Sequence, residues 1–318
     1  MEISEAQYEE LQARSMRDFG IALLLLTGIL GGLFLLPVHV IPPAATGSTA
    51  RTVDHSVAPA VFSNVDVQAK AAIVIDLKND RVLFEKDADA QLPLASLTKL
   101  LAVYAAVDAF PLEKKIAISA RDANVDAPRA FTNGDAIPLG QLARLTLTAS
   151  LNDGASAMVD AVAREKGESS AQVLTRTANA LGLTETYANN GNGLDLTGSV
   201  SGAYGSARDM ARLAGALVRR APDIAIATTR SFAAEQVAGG ASYRVKNTNP
   251  DVRRVPQLLL SKTGYTDLAG GNLALVFDVG IEHPVAVVVL GSTKASRFTD
   301  SELLVKATRA YFANIQTL

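Results

Sequence analysis

The longest apolar stretch of the chain lies near its N-terminus, where no charged residue occurs from Phe19 to Leu36. As a helix, this run would span about 27 Å, close to the hydrocarbon thickness of a bilayer. The pattern predicts a transmembrane anchor over residues 19–41, preceded by a cytoplasmic tail over residues 1–18. A cleaved signal peptide is the alternative, because Ser48-Thr49-Ala50 offers small residues for cleavage. Both interpretations place the rest of the chain outside the cytoplasm.

After the apolar run, residues 42–65 are rich in Pro, Ala, Ser and Thr and show little periodicity. This composition predicts a linker, with one folded domain over residues 66–318. The domain opens with two β-favouring runs, at residues 71–76 and 81–84, on either side of a polar turn. Such a pair predicts a β-hairpin.

The middle of the domain, from about residue 94 to 228, has the Ala- and Leu-rich periodicity of helices. The predicted helices of this lobe are residues 96–109, 138–150, 153–165, 169–181 and 206–219. Ser206 and Asp209 have the spacing of a capping box at the start of the last of these helices. Strand patterns then return at residues 257–262, 272–279 and 285–290, followed by a final helix at 299–314.

This order of elements predicts the fold class. Strands from both ends of the domain can pair in one antiparallel sheet, while the helical block forms a second lobe. The result is an α/β domain of the α+β type, with helices on both faces of the sheet and a cleft between sheet and lobe.

Composition narrows the function. The chain is 48% hydrophobic and 19% charged, so it can bury a core. Its 30 basic residues nearly balance 32 acidic ones, which gives no reason to expect nucleic acid as a partner. Cysteine is absent, which excludes thiol catalysis and disulfides. The three histidines, His39, His55 and His283, stand far apart, so no metal site is predicted and a nucleophilic serine would need another base.

The first of three short motifs is Ser96-Leu97-Thr98-Lys99, at the start of a predicted helix. Residues three apart share one helix face, so Lys99 is the candidate base for a nucleophilic Ser96. Lys99 can accept the proton only when neutral, which requires its pKa to fall from about 10.4 towards 7–8. Burial under the lobe, or a second cation such as Lys262, would lower the pKa in this way.

The second motif, Ser150-Leu151-Asn152, lies between two predicted helices, and the third, Lys262-Thr263-Gly264, lies at the end of a predicted strand. Ser150 can relay a proton to a leaving amine, and Asn152 can bind a peptide group. The third motif is suited to substrate binding: Lys262 and Thr263 for a carboxylate, Gly264 for close backbone approach, and the N–H of Tyr265 for the oxyanion.

Together the three motifs are the signature of penicillin-binding proteins and class A β-lactamases. Residues from about 66 to 315 resemble the D-alanyl-D-alanine carboxypeptidases, the low-molecular-mass penicillin-binding proteins. Further segments carry the resemblance, namely Pro93-Leu94-Ala95, Gly134-Asp135 leading into Gln141-Leu142, Ala180–Leu183, Asn192–Asp195, Ser206–Met210, Tyr265-Thr266-Asp267 and Ala269-Gly270.

The resemblance implies a three-layer α/β/α serine DD-peptidase domain. It implies that the enzyme trims peptidoglycan stem peptides ending in D-Ala-D-Ala through an acyl-enzyme on Ser96, and that β-lactams acylate the same serine. It implies no metal and no organic cofactor. The chain departs from the family at two positions: Leu151 stands where Gly is usual, and Asn192 where His is frequent.

Two other functions share part of this pattern, a β-lactamase and a wall-binding module. A β-lactamase would carry an E-x-x-L-N segment for its deacylating water, and none occurs between Ser150 and Lys262. A catalytically silent wall-binding module would tend to lose the nucleophile or the base, yet both are present. The absence of Trp also argues against a stacking platform for glycans.

Overall fold

The structure is a computed structural model that describes residues 60–237 and 241–315. The strands of this part are β1 (Ala71–Asp76), β2 (Arg81–Lys86), β3 (Leu92–Pro93), β4 (Lys115–Ala117), β5 (Ala136–Pro138), β6 (Tyr187–Ala188), β7 (Ala203–Gly205), β8 (Phe232–Gln236), β9 (Ser242–Lys246), β10 (Leu258–Thr266), β11 (Gly270–Asp278) and β12 (Pro284–Ser292). Its α-helices are α1 (Thr98–Ala109), α2 (Ala120–Ala123), α3 (Leu139–Ala149), α4 (Asn152–Lys166), α5 (Ser170–Ala180), α6 (Ala207–Arg220), α7 (Pro222–Ala227) and α8 (Ser296–Ile315). Short 3-10 helices occur at Ala60–Phe62, Ala95–Leu97 and Val252–Arg254.

The framework is a five-stranded antiparallel sheet in the order β10-β11-β12-β1-β2. Strands from the two ends of the domain meet in its middle, where Ala71 of β1 pairs with Leu290 of β12. The prediction of one antiparallel sheet built from both ends is therefore confirmed. Strand β10 forms one edge of this sheet, next to the helical lobe.

Both faces of the sheet are buried, and successive residues of a strand face opposite sides. Along β12, Ala286, Val288 and Leu290 belong to the core shared with α1 and the rest of the helical lobe. Val285, Val287 and Val289 belong to a smaller core that includes Leu304 and Val305 of α8. The domain thus has three layers, with α6 packed on one face of the sheet and α8 on the other.

The predicted helices and strands match the observed ones within a few residues, except that β10 continues to Thr266 instead of ending at Lys262. Several short elements were not predicted. They are the β8–β9 hairpin, the two-stranded sheet β4–β5, the three-stranded sheet β3–β7–β6, and the helices α2 and α7. Strands of two or three residues are too short to show a hydrophobic period, so tertiary pairing decides them.

The predicted capping box at the start of α6 is only half formed. The Ser206 Oγ accepts a hydrogen bond from the N–H of Asp209. The Asp209 carboxylate, however, accepts from the Glu185 N–H and the Thr186 hydroxyl instead of reaching back to Ser206. A loop that is distant in sequence outcompetes the local partner.

The predicted cytoplasmic tail and transmembrane anchor, and the linker up to residue 59, lie outside the described residues. None of the helices in the described part is both long enough and apolar enough to cross a membrane. Phe62 is buried and packs with the core under α8, so the packed part begins before the predicted boundary at residue 66.

Candidate active site

Ser96 lies in a 3-10 turn, Ala95–Leu97, that leads directly into α1. Ala95 has a φ of +47°, in the left-handed region that residues with a Cβ rarely adopt. Strain of this kind costs about 1–3 kcal/mol and is concentrated at functional sites. Asn272 of β11 holds the turn against the sheet, because its Nδ2 donates to the carbonyls of Pro93 and Leu94 at 3.0 and 3.1 Å.

Lys99 occupies the first turn of α1 and points back to the serine, as the three-residue spacing predicts. Its Nζ lies 2.7 Å from the Ser96 Oγ and 2.6 Å from the carbonyl oxygen of Asn192. The side chain is fully buried. Burial lowers the pKa of Lys99 to about 7, against an opposing influence of the Asp153 carboxylate. A large fraction of this amine is therefore neutral near neutral pH and can accept a proton.

The loop that presents the Asn192 carbonyl is held by its own asparagines. The Asn190 Oδ1 accepts from the Gly193 N–H at 2.7 Å, and the Asn192 Nδ2 donates to the Ser156 Oγ at 3.0 Å. Gly193 has a φ of +78°, and a Cβ there would collide with the Ala95 carbonyl. Only glycine lets this loop approach the Ser96 turn so closely.

A second serine–lysine pair faces the first. Ser150 ends α3 with φ 60° and ψ 39°, again in the left-handed region. The Nζ of Lys262 lies 2.8 Å from the Ser150 Oγ and 2.7 Å from the carbonyl oxygen of Thr263. Burial lowers the pKa of Lys262 well below its usual value, and the charges of Lys99 and Arg297 lower it further. The sequence led us to expect that Lys262 would lower the pKa of Lys99, but burial alone lowers the pKa of Lys99, and the charge of Lys99 lowers that of Lys262 instead.

Asn152 is the first residue of α4, directly after the second motif. Its Nδ2 donates to the Asp126 carbonyl at 2.8 Å, and its backbone N–H donates to the Pro128 carbonyl at 2.7 Å. Its buried Oδ1 has no hydrogen-bond partner among the described residues. The side chain therefore anchors the neighbouring loop with one end and leaves an unpaired acceptor at the other.

The third motif runs along the edge strand β10. The Ser261 N–H donates to the Thr228 Oγ1 at 2.9 Å, away from β11. Because N–H groups alternate in direction along a strand, those of Thr263 and Tyr265 point to the same edge. This edge is the one that does not pair with another strand of the sheet. The Tyr265 N–H therefore points out from this open edge.

Gly264 brings this edge against the Ser96 turn. A Cβ at Gly264 would lie 3.0 Å from the Leu94 carbonyl oxygen and 3.3 Å from the Ser96 backbone nitrogen. Ser96 begins a helical turn, where backbone N–H groups lack helical acceptors. The Ser96 backbone nitrogen thus lies beside the part of β10 that directly precedes Tyr265.

The sequence predicts that Lys262 and Thr263 bind a substrate carboxylate, but in the structure both side chains already have partners within the protein. Lys262 is 1% exposed and faces Ser150, so it is enclosed and not presented at the surface of the cleft. The Thr263 hydroxyl donates to the Thr248 Oγ1 at 2.7 Å. The Tyr265 side chain is 42% exposed, so it is the backbone of this residue that belongs to the site.

Sequence reasoning missed three residues that shape the site: Asn272, Arg297 and Asp153. Arg297 lies in the first turn of α8, is 7% exposed, and donates from Nη1 to the Gly264 carbonyl at 2.7 Å. Nothing in the sequence distinguishes it from a surface arginine. Asn272 had a signal, since it is a polar residue inside an otherwise apolar strand.

Asp153 was also missed as a site residue. Its Oδ2 accepts from the N–H groups of Ala130 and Phe131 at 2.7 and 2.8 Å, which fixes the loop beside Asn152. Burial raises the pKa of Asp153, and these hydrogen bonds oppose the rise. No cluster of His, Asp and Glu that could hold a metal ion occurs in residues 60–237 and 241–315.

Comparison with known proteins identifies relatives of this arrangement. The sequence profile of the D-alanyl-D-alanine carboxypeptidases (Peptidase S11) matches residues 56–294. The D-alanyl-D-alanine carboxypeptidase DacC of Escherichia coli K12 is 31% identical over 255 residues, which are 75% of this chain and 60% of DacC. The D-alanyl-D-alanine endopeptidase of the same organism is 26% identical and is covered over 86% of both chains.

Among solved structures, penicillin-binding protein D2 of Listeria monocytogenes in its ampicillin-bound form superposes with a TM-score of 0.66 at 26% identity. The match covers 77% of this chain and 98% of that protein.

Proposed function

Because the chain belongs to the D-alanyl-D-alanine carboxypeptidase family, we propose that it is a serine DD-peptidase that removes the terminal D-alanine of peptidoglycan stem peptides. The membership confirms the resemblance that the motifs indicate. The observation that carries the proposal is the contact between the Ser96 Oγ and a fully buried Lys99, whose pKa of about 7 makes it a competent base.

In the proposed acylation step, neutral Lys99 accepts the Ser96 proton while the Ser96 Oγ attacks the carbonyl carbon of the penultimate D-alanine. The negative charge that develops on the carbonyl oxygen is bound by the N–H groups of Ser96 and Tyr265. Losing one such donor typically costs about 3–4 kcal/mol in the transition state. The C–N bond then breaks, and an acyl-enzyme on Ser96 remains.

The departing amine of the terminal D-alanine needs a proton. We assign this transfer to the Ser150 hydroxyl, and Lys262 then re-protonates Ser150; the 2.8 Å contact between the Lys262 Nζ and the Ser150 Oγ supports the assignment. Water then attacks the acyl carbon, and its proton passes through Ser150 to Lys262, which became neutral in the first half of the reaction. The bond between the acyl carbon and the Ser96 oxygen breaks, and Lys99 returns its proton to that oxygen. A β-lactam would acylate Ser96 in the same way. Its amide bond lies in a ring, so the ring opens and the amine stays attached to the acyl group.

Substrate binding is assigned to the open edge of β10 and to Asn152. An extended peptide along this edge can pair with the N–H groups of Thr263 and Tyr265. The unpaired Oδ1 of Asn152 accepts an N–H of the peptide. Lys262 and Thr263 are assigned to the terminal carboxylate. Because Lys262 is enclosed, it acts there through the Ser150 hydroxyl that it contacts, and the Thr263 hydroxyl must turn away from Thr248 to donate to the carboxylate.

We also propose that the domain works on the outer side of the cytoplasmic membrane, tethered by the apolar segment at residues 19–41 unless that segment is cleaved as a signal peptide. Two arguments support this: the absence of charge from Phe19 to Leu36, and the extracytoplasmic site of peptidoglycan. Tracking the full chain with membrane fractions after alkaline washing tests it.

The decisive experiment follows the intact mass of the full-length protein after benzylpenicillin is added. We expect one persistent adduct per chain, absent in Ser96→Ala and present in Ser199→Ala, which changes an exposed serine. A wild-type protein that forms no adduct and leaves the drug intact would overturn the serine-peptidase proposal. An adduct that persists in Ser96→Ala would overturn the assignment of the nucleophile.

Product analysis then separates two activities of the same site. A pentapeptide that loses one D-alanine identifies a carboxypeptidase, which is our expectation. Cleavage of a cross-linked dimer alone would identify an endopeptidase, the activity named for the Escherichia coli relative that matches over most of its length.

A further inference from the structure

The face of the sheet opposite Ser96 contains a pocket that the proposed chemistry does not use. It has a volume of about 170 Å³ and lies between α8, strand β11 and the segment that precedes β10. Its walls are largely hydrocarbon, from Val255, Leu273, Leu275, Phe298 and Val305. An apolar cavity of about 150 Å³ is large enough to hold benzene. The interior therefore suits one ring or a short alkyl chain.

The rim of this pocket is charged. Arg254, Lys306 and Arg309 supply three cations, and Asp251 and Glu302 supply two anions. Arg254 pairs with Asp251 at 3.1 Å, and Lys306 with Glu302 at 2.8 Å. Within the described part of the chain Arg309 has no ion pair. The rim thus carries one uncompensated positive charge beside an apolar interior.

A buried polar atom in the wall also lacks a partner. Ser301 lines the pocket and is 1% exposed, and its Oγ has no hydrogen-bond partner among the described residues. A buried hydroxyl left unpaired is unfavourable, and a ligand atom that accepts from it would relieve that cost. The pocket therefore offers a donor as well as a charge.

From these features we propose that the pocket binds a small organic acid that has one apolar group of about benzene size and one carboxylate. The apolar group displaces water from the side chains of Leu273, Leu275 and Phe298. The carboxylate lies at the rim, where Arg254 and Arg309 are the cations in reach, and the Ser301 hydroxyl supplies a neutral donor. The site is separate from the Ser96 cleft and does not depend on the proposed peptidase activity.

The test is a calorimetric titration of the full-length protein with 4-phenylbutyrate, compared with the uncharged 4-phenyl-1-butanol. We expect one site for the acid and at least about tenfold weaker binding of the alcohol, which corresponds to 1.4 kcal/mol. The double substitution Arg254→Glu with Arg309→Glu should weaken binding of the acid by a similar factor. The control Arg121→Glu, on the exposed surface of α2, should leave it unchanged.

A pocket-filling variant, Val305→Phe, should abolish binding of both compounds. Benzylpenicillin acylation and circular dichroism check that this variant folds. If it does not fold, the double substitution Arg254→Glu with Arg309→Glu is the test of the proposed site. Binding that is equal for acid and alcohol, or unchanged by the charge reversal, would overturn the proposal. So would binding to a folded Val305→Phe protein that matches the wild type.

Discussion

The lobe-facing side of the central sheet buries Lys99 and Lys262 beside the nucleophile, whereas the side facing α8 buries mainly hydrocarbon. The α8 side does contain the buried carboxylate of Asp300, but that carboxylate accepts hydrogen bonds from the N–H groups of Gln68 and Ala69 and from the Ser292 hydroxyl. Lys99 has partners of a different kind. Its partners are a hydroxyl and a carbonyl, and no carboxylate in the described part forms an ion pair with it.

The difference shows what each side contributes. A buried amine without a counter-ion is held away from its preferred charged state, and a pKa lowered to about 7 is the measure of that cost. Each pKa unit corresponds to about 1.4 kcal/mol. The lobe side thus gives up stability for reactivity, while the α8 side supplies stability. The five predictions below test this division of labour, from the largest expected effect to the smallest.

The substitution Lys99→Met tests the contrast between the two sides of the sheet most directly, because it replaces the buried amine by an apolar chain of similar length. Acylation by benzylpenicillin at neutral pH should fall by about 10²–10⁴, the contribution of a positioned base. The fold should become more stable by about 1–4 kcal/mol, as when other buried charges are replaced by hydrocarbon. Acylation kinetics and chemical denaturation measure the two effects, with Lys166→Met, at an exposed position, as control. A variant that acylates at the wild-type rate would contradict the role of Lys99.

The α8 side should respond in the opposite way. Phe277 is fully buried in that core, so Phe277→Ala should lower the free energy of unfolding by about 3–5 kcal/mol. Acylation by the fraction that remains folded should be unchanged. Chemical denaturation and active-site titration check this, with Ile281→Ala, at a residue that is 94% exposed, as control. A large loss of acylation per folded molecule would show that the two sides are not independent.

The pH dependence sharpens the comparison at Lys99. Below its pKa of about 7 the amine is an ammonium and cannot accept the Ser96 proton. The acylation rate should therefore rise about tenfold per pH unit up to about pH 7 and then level off. A rate that stays flat, or falls, as pH rises through 7 would rule out neutral Lys99 as the base.

Stability should follow pH in the same direction. Between about pH 7 and 10 the unfolded chain protonates Lys99 while the folded chain does not, so the unfolded state binds more protons and stability rises with pH. Lys262, whose pKa is also lowered by burial, has the same sign. The Lys99→Met substitution should therefore reduce this slope without abolishing it.

The smallest predicted effect concerns the contact between the sheet edge and the Ser96 turn. In Gly264→Ala the new Cβ would lie 3.0 Å from the Leu94 carbonyl oxygen and 3.3 Å from the Ser96 nitrogen. The turn must shift by a few tenths of an ångström, so acylation should fall by about tenfold, less than the 10²-fold that a 1 Å misplacement can cost. Gly198→Ala, with open space around its Cβ, is the control. An unchanged rate in Gly264→Ala would mean that this contact does not position the nucleophile.

Long periodic segments and the three motifs were readable from the sequence because their information is local. The apolar runs that became β1, β11 and β12 alternate or stay buried over their own length, and α6 and α8 were recognisable from helical spacing. The contact between Lys99 and Ser96 follows from a three-residue helical spacing. These features depend on neighbours in the chain.

The rest of the site was decided by tertiary structure, because its contacts join residues far apart in sequence. The Lys99 Nζ reaches a backbone carbonyl 93 residues away, and the Asn272 side chain reaches another 178 residues away. A backbone carbonyl has no residue type that could signal its role. Whether Arg297 is a surface cation or a buried donor to Gly264 depends only on where α8 packs. The sequence by itself therefore determined the family, the candidate reactive residues and the main elements. The burial that lowers the pKa of Lys99 and Lys262 exists only once lobe and sheet enclose them.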